Sequence, residues 1–235
     1  MNAFPHSEIL FITLTISVFW VAQLIQRRTG WVILNPILMA IAVIILILRA
    51  GDVSYEAYEQ GGRYIAFLLK PAIVALGVPL YQQLEHVRKQ ALPIFVSQLA
   101  ACLTGVFSVV LIAHMLGATP EVVISLSPKS ATTPIAMEVV RVLGGIPALT
   151  AVIVILTGIF GAICGLGFLR LIGIKSSMGQ GLALGAAAHA VGTAHAMQKT
   201  PRLGAYSSLG LILNGTLTGL LTPWLLQWFG GWISL

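Results

Sequence analysis

Apolar and polar positions alternate along this chain as long hydrophobic runs parted by short polar joints. A helix covers the hydrocarbon core of a bilayer with about 20 mostly apolar residues. Runs of that length occupy 8–26, 31–49, 64–82 and 92–116 in the first half, and 147–171 and 203–229 in the second. Two further stretches, 120–143 and 179–198, have the length but carry too many small and polar residues for ordinary spans. Non-helical backbone persists at membrane depth only where protein or a water-filled cavity satisfies it, so these two stretches are where function is expected. The pattern predicts an all-α fold, a polytopic membrane helical bundle with discontinuous (broken or re-entrant) helices, forming a single membrane domain over 1–235. Taking the polar stretches as full spans or as hairpins changes the count from about eight crossings to about six.

The joints set the expected topology. Arg27-Arg28 and Arg88-Lys89 close the first and third runs, which puts those joints in the cytoplasm. The N-terminus and the acidic loop 50–62, with Asp52, Glu56 and Glu59, then lie outside. Arg170 and Lys175 on one side of 179–198, with Lys199 and Arg202 on the other, leave the second half without a clear orientation. The first run is too long for a cleaved signal and lacks a basic leader, so it reads as a permanent span.

Composition sharpens this picture. Hydrophobic residues make up 57% and charged residues 9%, against about 25% charged in a soluble domain, and the mean hydropathy is +0.95. The net charge of +6 is scattered between apolar runs, which excludes a nucleic-acid face. Cys102 and Cys164 each lie in an apolar run and read as small buried hydrophobes, with neither a disulfide nor a metal site expected. Trp20, Trp31, Trp224, Trp228 and Trp232 suit interfacial belts. Gly158, Gly161 and Gly165 share one helical face and predict close helix packing.

The first polar stretch contains Ser127-Pro128-Lys129-Ser130-Ala131-Thr132-Thr133-Pro134. Each proline removes an N–H and disfavours helix in the residue before it, which predicts a helix, a break, and a second helix starting near Pro134. A half-helix N-terminus offers free N–H groups and a positive dipole end. With Lys129 and the hydroxyls of Ser127, Ser130, Thr132 and Thr133 it would make a nest for a small anion such as a carboxylate. The competing reading is a headgroup loop with Lys129 snorkelling to phosphate. Glu138 and Arg141, three apart on the second half-helix, read first as an ion pair and second as a proton-coupling group.

The second stretch centres on His189, Gly192, Thr193 and His195 among Gly and Ala residues. On a continuous helix His189 and Thr193 would face the same way. Thin walls let a solute or another helix come close, and a membrane histidine usually faces a cavity or a partner. Packing is the other reading. Lys70-Pro71 with Gly77 and Pro79 in the third run, and Asn214-Gly215-Thr216 in the last, are expected to interrupt those spans, making Lys70 and Asn214 secondary candidates. No G-x-S-x-G, H-E-x-x-H or P-loop occurs, so neither an enzyme nor an ATP-driven pump is expected, and no cofactor.

The run 127–136 together with Ala188-His189-Ala190-Val191-Gly192-Thr193-Ala194 resembles the LrgB/CidB family, and the similarity extends over the chain through Asn35-Pro36 and Lys70-Pro71-Ala72. That resemblance implies a bacterial cell-membrane protein working with a small LrgA/CidA-like membrane partner, as an oligomer. It also implies two functional readings. Plant relatives, with LrgA-like and LrgB-like halves fused, are plastid glycolate/glycerate carriers, and some bacterial members are associated with pyruvate uptake. Other bacterial members are described as holin-like or antiholin-like modulators of murein hydrolase export and autolysis. The expectation is a secondary carrier for small monocarboxylates, with the holin-like role as the alternative.

Overall fold

In an apolar solvent every backbone polar group must be satisfied within the chain, and helices do this locally. The computed structural model describes residues 8–31, 34–68, 71, 81, 88 and 90–233. Among these residues all regular structure is helical. The chain divides into two compact units, Met1–Val74 and Ala75–Leu235.

The first unit holds α1 (Glu8–Thr29), α2 (Pro36–Ala50) and α3 (Tyr55–Phe67). Glu8 in the first turn and Arg27 and Arg28 in the last complement the dipole of α1. The second apolar run begins its helix later than its hydrophobicity suggests, because Asn35 caps it, accepting from the Ile37 N–H at 2.9 Å ahead of Pro36. The acidic stretch expected as a loop is largely the helix α3. Ser54 caps it by accepting from the Ala57 N–H at 3.3 Å, and Glu56 sits in its first turn. The α3 helix packs on α1 through a 2.8 Å hydrogen bond between Tyr58 and Thr15 hydroxyls and an edge-on contact of Tyr58 with Phe11. Of the expected span 64–82, only the start lies in α3. Lys70, Gly77 and Pro79 lie outside the described residues.

The second unit holds α4 (Ala91–Met115), α5 (Pro120–Leu126), α6 (Thr133–Leu143), α7 (Pro147–Leu171), α8 (Ser177–Lys199) and α9 (Pro201–Ile233). With α1, the helices α4, α7 and α9 are long and apolar enough to cross a membrane, so the chain is a multi-pass membrane protein. Between α5 and α6 lies the break expected from the two prolines. Gly144, at φ 81°, closes α6 in a left-handed cap that a side chain would strain, and α7 follows at once. The Ser125 hydroxyl accepts from the Ile146 N–H at 2.7 Å, and Thr150 donates to the Ser125 carbonyl at 2.9 Å. Those bonds clamp the end of α5 to the start of α7.

Gly158, Gly161 and Gly165 do form a packing face, against α8. Along α8 and α9 the backbones come closer still. A Cβ at Gly185 would collide with the Ser207 carbonyl, and one at Gly210 would lie 2.5 Å from that of Leu182. Cys102 is buried, but Cys164 is exposed on α7, against expectation. Trp20, Trp31, Trp224 and Trp228 are exposed, in keeping with lipid or interface contact. The expected interruption at Asn214-Gly215-Thr216 is absent, and α9 runs straight through it. Its polar side chains need no backbone break: Thr216 donates to the Ile212 carbonyl at 2.8 Å and Thr222 to that of Thr218 at 2.6 Å.

Candidate functional site

The break between α5 and α6 is a pair of tight turns. Lys129 N–H donates to the Leu126 carbonyl at 3.1 Å and Ala131 N–H to that of Pro128 at 2.9 Å. Ser127, Ser130, Ala131 and Thr132 are buried, and Lys129 and Thr133 partly so. The hydroxyls are not equivalent. Ser127 donates back to the Val123 carbonyl at 2.6 Å and so serves its own helix. The Ser130 hydroxyl faces α4, where a Cβ on Gly105 would come within 3.2 Å of it. Thr132 is the N-cap residue of α6 yet makes no capping bond, and its buried hydroxyl has no partner. The first N–H groups of α6 therefore point into the break without a side-chain cap. Lys129 has no acidic partner among the described residues. The sole ion pair described there is Arg141–Glu138 at 2.8 Å.

The second stretch is broken too, at a single residue. His189 has φ 38° and ψ −132°, inside what is otherwise one helix. A non-glycine residue held there is strained. Its ring is buried, and Nε2–H donates to the Val154 carbonyl of α7 at 2.8 Å. That bond puts the imidazole proton on Nε2 and leaves Nδ1 as an acceptor. Gly158, one turn on from Val154, makes room for the ring, since a Cβ there would sit 2.5 Å from His189 Cε1.

This break separates two residues expected on one face. Because the backbone turns at His189, its ring meets α7 whereas Thr193 meets α9, bonding the Ser207 hydroxyl at 3.0 Å. Gly192 is a close-packing position, its missing Cβ facing Ala188 and Leu184. His195 is partly exposed and has no hydrogen-bond partner among the described residues. The Glu138–Arg141 pair is exposed, at 65% and 62%, and stands outside the buried break.

Asn214 joins the two breaks. Its side-chain Nδ2 donates to the Ser130 carbonyl at 3.3 Å and to the Ala186 carbonyl at 3.0 Å. Through Asn214 the structure brings the Ser130 turn, which also holds Lys129 and Thr132, beside Ala186, three residues ahead of the His189 kink. Gln98, Ser207 and the Val154 carbonyl were missed by sequence reasoning. Gln98 carried a signal: an amide in an otherwise apolar span is costly and calls for a reason. Nothing in the sequence marks a particular carbonyl.

Discontinuous helices in an all-α bundle with several long apolar spans and buried polar groups at the breaks mark a multi-pass membrane protein. Comparison with known proteins makes the assignment specific. The LrgB-like family model matches residues 15–228, and the chain belongs to that family. A "Holin-like protein CidB" of Staphylococcus epidermidis is 36% identical over 229 residues, covering 97% of this chain and all of that one. The Staphylococcus aureus protein of the same name is 34% identical over the same shares. An uncharacterized protein of Haemophilus influenzae is 40% identical over 218 residues, 93% of this chain and 94% of its own. No solved structure matches the chain.

Proposed function

We propose that this chain is a secondary carrier for small monocarboxylates, of the pyruvate, glycolate or glycerate type, working with a small LrgA/CidA-like membrane partner. The observation that carries the reading is Lys129. A lysine partly buried at a helix break, without an acidic partner among the described residues, is costly at membrane depth unless a counter-charge arrives. A small carboxylate supplies that charge. The uncapped start of α6 would add the N–H groups of Thr133 and Ile135 and the positive end of a helix dipole. Ser130, Thr132 and Thr133 would orient the anion, and His189 would meet it through Nδ1, the ring nitrogen left free by the bond to Val154.

A holin-like role is the second reading, favoured by the name that the staphylococcal relatives carry. Such a role needs association and changed permeability, and Lys129 would then tolerate substitution. Uptake of labelled pyruvate and glycolate into proteoliposomes, with the LrgA-like partner and a pH gradient, separates the two. Saturable uptake abolished by Lys129→Gln supports the carrier. Absence of uptake in the wild type under every gradient removes it and leaves the holin-like role.

A further inference from the structure

Four cations gather at one end of the second unit. Arg170 lies in the last turn of α7, Lys175 in the joint to α8, Lys199 in the last turn of α8 and Arg202 in the first turn of α9. No Asp or Glu follows Glu138 in the sequence, and no ion pair reaches any of the four among the described residues. Arg170, Lys175 and Lys199 line one cavity of about 430 Å³, together with Ser177, Gln180 and Thr200. Their charge calls for an anion from outside the chain.

That cavity exists because α8 doubles back on itself. Straight, its 23 residues would part Ser177 from Lys199 by about 33 Å, yet both line the same cavity. The reversal is at His189, and the two arms touch. The missing Cβ of Gly192 faces Leu184, eight residues earlier, and Gly185 and Thr193 both meet Ser207 of α9. The cations that flank this stretch on either side in the sequence therefore share one face. The lining is braced from within. Leu203 packs in one cluster with Leu166, Leu184 and Ala196. Buried Gln180 donates through Nε2 to the Ile174 carbonyl at 2.7 Å, which pins the joint carrying Lys175.

We infer that this cavity binds the phosphate of an anionic phospholipid headgroup. Three cations with the hydroxyls of Ser177 and Thr200 among them suit a phosphate group, which takes charge from Lys and Arg and hydrogen bonds from hydroxyls. The surroundings favour a lipid over free phosphate. Phe168, Leu171, Ile172 and Met197, each within two residues of Arg170 or Lys199, are exposed and offer acyl chains an apolar surface. Helices α7 and α9 are long enough to span a bilayer, so the ends that meet here lie at headgroup depth. Basic pockets between spanning helices on the cytoplasmic side hold such headgroups. The positive-inside rule puts a face with four cations in the cytoplasm, against the anionic inner leaflet. A lipid held there would join the end of α7, both ends of α8 and the start of α9, and so keep the hairpin closed at the end away from His189. The site rests on neither the carrier nor the holin-like reading.

The test is thermal unfolding of the purified full chain in detergent micelles, titrated with phosphatidylglycerol, with phosphatidylcholine, or with soluble glycerol 3-phosphate. A ligand that binds the folded state alone raises its stability with concentration. The wild type is expected to gain stability saturably with phosphatidylglycerol, and with neither of the others at the same phosphate concentration. Lys175→Gln combined with Lys199→Gln should weaken the apparent phosphatidylglycerol affinity by more than about tenfold. Arg27→Gln with Arg28→Gln, which removes two cations from α1, should leave it unchanged. Both lysines are exposed, so their double variant should unfold with the wild type in phosphatidylcholine. Native mass spectrometry, counting the phosphatidylglycerol molecules each form retains, reads the same loss without reference to stability. Equal stabilisation by the two lipids, or an undiminished phosphatidylglycerol response in the lysine variant, would overturn the site. A response to glycerol 3-phosphate as large as that to phosphatidylglycerol would overturn the lipid assignment and give the cavity to soluble phosphate esters.

Discussion

Asn214 donates to the carbonyl of Ser130, 84 residues earlier in the chain, at 3.3 Å. With its second hydrogen bond, to Ala186, the same amide ties the α5–α6 break to the α8 break from the middle of an uninterrupted helix. Two helices whose own ladders have failed are thereby held in register by a third that is intact.

Replacing Asn214 by leucine would leave both carbonyls without that donor in a buried place. Each unsatisfied group costs about 1–3 kcal/mol, so Asn214→Leu should destabilise the chain by at least about 2 kcal/mol. The measure is chemical or thermal unfolding in detergent micelles. A variant as stable as the wild type would mean that the bridge is incidental.

His189 separates backbone strain from side-chain chemistry. Glycine adopts φ 38° without a Cβ penalty, whereas alanine keeps it. Both lose the bond to Val154. His189→Gly should therefore be more stable than His189→Ala by about 1 kcal/mol, although both lose uptake if the imidazole meets the solute. The reverse order of stability would contradict the strained backbone at this residue.

The sequence made the elements legible more readily than their meeting points. Apolar runs gave α1, α4, α7 and α9 because hydrophobic length is a local property, and Pro128 and Pro134 announced the first break through local backbone chemistry. The second stretch was expected to be broken, but the residue at which it breaks was hidden: Ala188-His189-Ala190 contains neither proline nor glycine, and the turn is held by Val154, 35 residues away. For the same reason Asn214 looked like an interruption of its own helix. Its actual role depends on carbonyls contributed by two other segments. The acidic stretch was misread as a loop because its charges mask a helix capped by Ser54 and seated on α1 by Tyr58. Lys129, Ser130 and Thr132 could be singled out early, since buried polar residues are costly wherever they fall.

Gly158 and Gly167 lie on the same helix and offer a paired test of close packing. A Cβ at Gly158 would meet the His189 ring at 2.5 Å, while one at Gly167 would meet nothing within 4 Å. Gly158→Ala should cost about 1–3 kcal/mol through overpacking and should impair uptake by displacing the imidazole. Gly167→Ala should gain about 0.4–1 kcal/mol by stiffening the unfolded chain and leave uptake unchanged. Equal behaviour of the two variants in unfolding and uptake assays would remove the steric argument for the histidine pocket.

Glu138 and Arg141 provide the opposite control. Their 2.8 Å pair is three residues apart on one helix and largely exposed, and such a pair contributes about 0.2–0.5 kcal/mol. A proton-coupling carboxylate would need to sense the solute, which this one does from neither the α5–α6 break nor the His189 kink. Glu138→Gln should thus lower stability by no more than about 0.5 kcal/mol and leave both the rate and the pH profile of uptake as in the wild type. Lys129→Gln, assayed beside it, should abolish uptake. If Glu138→Gln instead flattens the dependence on the pH gradient, the carboxylate carries the coupled proton, and the exposed pair is the resting partner of a moving charge.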